Sequence, residues 1–240
     1  MYILQEVVMD FRLTSEQEAL RKKAADFAKE YVEPVASELD EKAQFPHENV
    51  KRMADLGFLG LPIPKEYEGG GTDYVSYALV VEEIAKICAS TAIIISANTS
   101  LAGGPILRYG TDEQKKKFLP DLASGRKIGA FCLTEPDAGT DASRQLATAV
   151  DQGDHYVLNA HKKFITNGGL AGTYIVFAMT DKSKGNAGIS SSISIRCLLM
   201  KTELLLTDRS LPVDLKRRWA DWSDWVRALL LKASVMMKTT

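Results

Sequence analysis

The chain has 240 residues, is 45% hydrophobic and 25% charged, and carries a net charge of −1. That length serves one large domain or two modest ones, and the balanced charge excludes a general electrostatic attraction to nucleic acid. The three cysteines, Cys88, Cys132 and Cys197, are scattered; they fit neither a disulfide framework nor a zinc site, and they suggest a reducing, cytoplasmic setting.

The start, MYILQEVVMDFRL, has no basic n-region and is acidic early, so it reads as no targeting signal. Thr14-x-x-Gln17 is a capping box in front of a helix. Leu20, Ala24, Phe27, Ala28, Tyr31 and Val32 make its apolar stripe, and Pro34 is expected to bend or end it. A second helix is predicted from near Pro46, with Val50, Met53, Ala54 and Leu56 inward and Gly57 closing it. Two prolines around Ile63 exclude helix throughout 57–64, and Gly69-Gly70-Gly71 reads as a flexible loop. Asp73 is a candidate cap for a helix whose core face is Tyr77, Val80, Val81, Ile84 and Ile87. The apolar stretch from Ile87 to Leu107 is long enough to raise a membrane question. Its Ser90, Thr91, Ser96, Asn98, Thr99 and Ser100, and the break at Gly103-Gly104-Pro105, favour a buried core helix. A second box, Thr111-x-x-Gln114, opens a short basic helix with Lys115, Lys116 and Lys117.

Near residue 127 the period changes. Ile128–Leu133 is a strand candidate, Ala147–Val150 and His155–Leu158 flank a hairpin turn at 151–154, and Lys163–Thr166 and Tyr174–Met179 are two further strands. Helices first and strands second give an α+β class: an all-α helical domain over 1–126, then a partial antiparallel β domain over 127–192. His47, His155 and His161 are not at ligand spacing, so no metal is expected. Residues 193–240 differ in character. They carry net +4 against −5 for the rest and hold Trp219, Trp222 and Trp225. Leu215, Trp219, Trp222, Val226, Leu229 and Ala233 could form an amphipathic helix that meets a membrane or a partner; the alternative is an unsupported tail.

One stretch carries chemistry. In FCLTEPDAGTD, residues 131–141, an apolar run stops at Thr134, and Pro136 and Gly139 let the backbone turn sharply. Thr134 and Thr140 offer hydroxyls beside amides that could receive an anion or a polar ring edge. Glu135, Asp137 and Asp141 oppose a phosphate cradle unless they point outward, and no Walker lysine or G-x-G-x-x-G is present. Taken alone, the stretch reads first as a surface turn with good turn residues.

Longer segments decide between these. MDFRLTSEQEALRKKAADFAKEYVEPVASELD, DLGFLGLPIPKEYEGGGTDYVSYALVVEEIAK, RYGTDEQKKKFLPDLASGRKIGAFCLTEPDAGTDAS and YVLNAHKKFITNGGLAGTYIVFAMTD together resemble the acyl-CoA dehydrogenase family, of the short-chain or butyryl-CoA type, from Met9 to about Ser192. The resemblance implies FAD as cofactor, an acyl-CoA thioester as substrate, α,β-dehydrogenation as reaction, an electron-transfer flavoprotein as partner and a homotetramer as assembly. It implies that Phe131 to Thr140 line the flavin: Leu133 on the ring, Thr134 at its polar edge, Gly139 for close backbone approach, and Thr140 by the diphosphate and the acyl-CoA entry. It further implies that Phe164, Ile165 and Thr166 cover one face, with Thr166 near the reactive nitrogen. Relatives often have Trp where Phe164 stands, so weaker contact in the same role is expected.

The family's catalytic glutamate lies in a third, C-terminal four-helix domain. The resemblance stops near Ser192, where SISIRCLLMKTELLL follows, so a truncated or frameshifted form is expected, with a start mis-placed ahead of Met9 and no catalytic residue named here. Two alternatives stand beside this reading: a non-catalytic helical interaction module acting through the tail, and a flavin protein of the same superfamily with other substrates.

Overall fold

The computed structural model describes residues 12–153 and 156–194 and a short strand at 204–205. The proposed early start, the tail helix with its tryptophans, and His155 lie outside the described residues. Helix α1 (Ser15–Phe27) begins as expected. Thr14 Oγ1 accepts from Gln17 N at 3.2 Å, and Gln17 Oε1 accepts from Thr14 N at 2.9 Å. The stripe is buried at Ala24, Phe27, Ala28 and Val32. Pro34 does not stop the chain. A π-helical turn, Ala28–Val32, runs directly into α2 (Glu33–Glu41), with the proline in its first turn.

Helix α3 (His47–Asp55) ends at Gly57, whose φ is 76°. The glycines after it form a packed turn, not a flexible loop. Gly70 N donates to Gly60 O and Gly71 N to Ile63 O, both at 2.9 Å, and a Cβ on Gly69 would stand 2.0 Å from Ile63 O. Asp73 caps α4 (Tyr74–Ala85), accepting from Ser76 N at 2.7 Å. Val80 and Ile84 are buried there, whereas Ile87, expected inside, is exposed past the helix end. The apolar stretch becomes α5 (Ala89–Ser96), a π-helical segment (Ala97–Gly103) and α6 (Gly104–Tyr109). No helix of the described residues is long and apolar enough to cross a membrane. Helix α7 (Asp112–Ala123) opens on the second capping box.

The sheet follows: β1 (Gly129–Cys132), β2 (Thr148–Asp151), β3 (Tyr156–Asn159), β4 (Thr173–Met179), β5 (Ile189–Ser194) and β6 (Leu204–Leu205). Helices then sheet is the expected order, but the sheet is mixed, not wholly antiparallel. β4 is central and pairs parallel with β1 and, at Met179, with β2; β5 runs antiparallel to it, as β3 does to β2. Side chains alternate across the sheet. Leu133, Ile175 and Phe177 join Ala102, Ile106, Phe118, Leu119 and Leu122 under the helices, while Ala130, Cys132, Tyr174, Val176 and Ala178 make a second cluster with Ala149 and Leu158. Both faces of β4 are covered, which is why it reads as a continuous apolar run.

A buried side chain of the helical part is hydrogen-bonded to the start of the sheet. Asn98 Nδ2 donates to Leu59 O and Leu122 O, each at 3.1 Å, and its Oδ1 accepts from Gly129 N at 2.8 Å. Gly129 needs to be glycine, since a Cβ there would stand 2.3 Å from that of Ala102. Replacing Asn98→Leu leaves the Leu122 carbonyl and the Gly129 amide buried without this partner. Urea denaturation should then report a loss of about 3 kcal/mol or more; a loss below about 1 kcal/mol would contradict this role.

On the surface, α1 and α4 are joined at Glu83, which accepts from Arg21 Nε and Lys86 Nζ at 2.7 Å each. Arg21 first, then Lys86, hold its carboxyl below the ordinary 4.5. A depressed carboxyl stabilises the fold above its unfolded value and loses that contribution as pH falls through the folded one. Stability should therefore drop on acidification below about pH 4.5 more steeply in the native chain than in Glu83→Gln, as read from thermal melts across that window.

Candidate functional site

Strand β1 delivers the 131–141 stretch to the sheet's end. The chain leaves Cys132 and Leu133 buried and folds into a tight turn: Glu135 N donates to Ala138 O at 3.0 Å, and Ala138 N returns to Glu135 O at 3.3 Å. Pro136 and Asp137 form its exposed tip. The three acids part ways. Asp137 is at the surface. Asp141 accepts from Ser143 Oγ at 2.6 Å and Ser143 N at 3.1 Å, capping a short 3-10 turn; the Ser143 hydroxyl foremost holds its carboxyl below the usual value. Glu135 points inward, 6% exposed, where outward acids were the condition for an anion site.

The inward acid meets the second segment. Lys162, 2% exposed, places Nζ 2.5 Å from Leu133 O and 3.6 Å from Glu135 Oε1. One residue on, Lys163 N donates to Thr134 O at 2.9 Å. The expected strand at Lys163–Thr166 is absent: after a lone bridge residue at Lys162, Phe164 takes φ 58° and Asn167 φ 66°. Two left-handed residues so close together cannot continue a ladder. Asn167 Nδ2 reaches Gly129 O at 3.0 Å and Ile94 O at 3.4 Å, and Ile165 packs against the Ala130–Cys132 face of the sheet.

The eight singled-out residues thus divide. Phe131 and Leu133 face the helices; Phe131 lies edge-on to Phe177 at 5.0 Å, and Leu133 is buried. Thr134 and Phe164 are brought together by the Lys163–Thr134 backbone bond, with Ile165 and half-buried Thr166 following. Gly139 and Thr140 are on the exposed far limb of the turn, and a Cβ on Gly139 would meet nothing within 4 Å. Phe164 is 89% exposed. Sequence reasoning missed Lys162 and Asn167 as structural groups. Both stand in the HKKFITNGG part of the fourth quoted segment, but no periodicity shows that their side chains turn inward. A groove of about 480 Å³ elsewhere, between the α2–α3 and α4–α5 turns, is lined by Asp40, Gln44, Cys88 and Thr91 and contains none of these residues.

A left-handed backbone costs a non-glycine residue about 1–2 kcal/mol, and the Phe164 ring recovers little of it by burial in the chain itself. Phe164→Gly should therefore leave the urea midpoint unchanged or raise stability by up to about 1 kcal/mol, after allowing for the freer unfolded chain. Phe164→Ala, which keeps the strain, should bring no gain.

Comparison with known proteins bears on what this arrangement serves. The acyl-CoA dehydrogenase N-terminal domain matches residues 14–126 and the acyl-CoA dehydrogenase middle domain matches residues 130–203. A short-chain specific acyl-CoA dehydrogenase of Clostridium acetobutylicum is 54% identical over 185 residues, 77% of this chain and 49% of that protein. Butyryl-CoA dehydrogenase of Megasphaera elsdenii superposes with a TM-score of 0.77 at 40% identity, covering 92% of this chain and 60% of that one. A structure from work on the electron transferring flavoprotein of Acidaminococcus fermentans and flavin-based electron bifurcation gives 0.78 at 42%, covering 92% and 59%. The chain spans about half the length of the curated relatives it matches.

Proposed function

This chain belongs to the acyl-CoA dehydrogenase family, and from that premise we propose that it serves FAD-dependent α,β-dehydrogenation of short-chain acyl-CoA thioesters of the butyryl-CoA type. The observation that carries the reading is the exposed Phe164 ring, held by a strained backbone directly beside Thr134. An aromatic kept out of the core at an energetic cost fits a face that covers a planar ligand.

The residues present fit such a group. Phe164 and Ile165 would give one flavin face its cover, and the Thr134 and Thr166 hydroxyls would serve its polar edge. The open space off Gly139 would admit close backbone approach, with Thr140 beside the diphosphate and the thioester entry. Phe131 and Leu133 would back the strand that carries them. Bound there, FAD would supply the redox chemistry of the dehydrogenation. Residues 1–126 would act as the helical support and 127–192 as the flavin-facing sheet. The partners that go with this reading are the acyl-CoA thioester and an electron-transferring flavoprotein, the assembly a homotetramer, and the compartment the cytoplasm, where Cys88 and Cys132 remain thiols.

Titrating the chain into FAD, followed by flavin fluorescence and the visible band, tests the reading. The native chain should quench the fluorescence and sharpen the band. Phe164→Ala should weaken binding roughly tenfold, the worth of one aromatic stacking contact. Free-flavin fluorescence undiminished by the native chain would reject the proposal.

A further inference from the structure

We propose that the buried Lys162–Glu135 pair is the positioning device of this site, aiming the polar groups of Thr134 outward; the inference rests on the flavin reading above for what those groups meet. Lys162 and Glu135 belong to the two motifs that frame the site, yet neither faces outward. They are 2% and 6% exposed, and Nζ stands 3.6 Å from Oε1. A charge so deeply placed is costly to desolvate, and a hydrophobic pair of similar volume often serves stability as well. What the hydrophobic pair could not do is hold a carbonyl.

The ammonium does so. Lys162 Nζ donates to Leu133 O at 2.5 Å, drawing that carbonyl inward just past the end of β1. No peptide bond of the described residues is cis. In a trans, planar peptide the N–H points opposite to the C=O. Fixing the Leu133 carbonyl toward Lys162 therefore fixes the Thr134 N–H away from it. The next carbonyl, that of Thr134, is taken by Lys163 N at 2.9 Å, which brings the left-handed Phe164 alongside. Glu135 sets its carboxylate 3.6 Å from the ammonium, and its own backbone closes the turn onto Ala138 at 3.0 and 3.3 Å. The Lys162 side chain thus sets the direction of one peptide on this limb, and the backbone N–H of the residue after it sets the next. Lys162 and Glu135 act through the groups they hold and are positioning residues, not catalytic ones.

The test compares the native chain with Lys162→Met, which strands the Glu135 carboxylate, and with Lys162→Met/Glu135→Met, which removes both charges at similar volume. Lys162→Arg, keeping the charge and a donor, is the rescue variant. In the unliganded chain, hydrogen exchange at the Lys163 and Ala138 amides should accelerate at least tenfold in the double variant and return toward native in Lys162→Arg. The β4 and β5 amides should stay protected in both. With FAD added, the double variant should bind at least tenfold more weakly and lose the fine structure of the visible band. A folded double variant with native exchange at both amides and a native flavin spectrum would overturn the proposal and leave the pair a plain buried ion pair. If the native chain fails to bind FAD, the flavin reading falls, and the exchange rates still decide whether the pair positions the turn.

Discussion

Gly129 is gripped from two directions, and the rest of the structure is arranged around that grip. Asn98, from the π-helical segment, accepts from its N–H at 2.8 Å; Asn167, from the second motif, donates to its C=O at 3.0 Å. Asn98 also ties Leu59 and Leu122, so helix ends and strand start converge on a single amide. Thr99 reinforces this from the next position, its hydroxyl donating to Leu59 O at 2.7 Å. Buried polar groups tolerate few arrangements, because each unsatisfied donor or acceptor costs about 1–3 kcal/mol. The widened π turn at Ala97–Gly103 belongs to the same logic. It departs from the α-helical register where Asn98 and Thr99 bond to groups outside their own helix, and π turns commonly occur at such places.

How much of this was legible in the sequence depends on the range of the interaction. Thr14-x-x-Gln17 and Thr111-x-x-Gln114 announce helix starts because both partners lie within one turn. The apolar stripe of α1 and the run of β4 were readable for the same local reason, whether the period is 3.6 or nearly unbroken. Pro34 marks the place where the regular first helix has given way to a π turn and a new helix begins. Gly69–Gly71 misled because composition alone cannot tell a loose loop from one pressed against Ile63 and Leu61. The β-like composition of Lys163–Thr166 concealed two left-handed residues at and just past it, fixed by contacts from Thr134, Ile94 and Gly129 far away in sequence. Parallel pairing of β1 with β4 likewise rests on a crossover of about forty residues, which no local pattern encodes. The motif residues themselves were found through resemblance to a family; their physics alone favoured a surface turn.

The site shows why those two kinds of information differ. Its exposed parts, the Phe164 ring and the bare backbone at Gly139, make few contacts that a folding argument would predict, since the fold does not require them. Its inward groups, Lys162, Glu135 and Asn167, are costly to bury and find their partners across the chain. A strained residue such as Phe164 persists only where surrounding bonds over-determine it, and here the Lys163–Thr134 bond precedes it while the Asn167 bonds follow. The buried polar frame therefore bears the cost of holding an exposed apolar ring in one place. Exposure and strain meet at Phe164 while burial and satisfied bonds meet at Asn98, and the difference between those two residues is the difference between the exposed turn and the frame behind it.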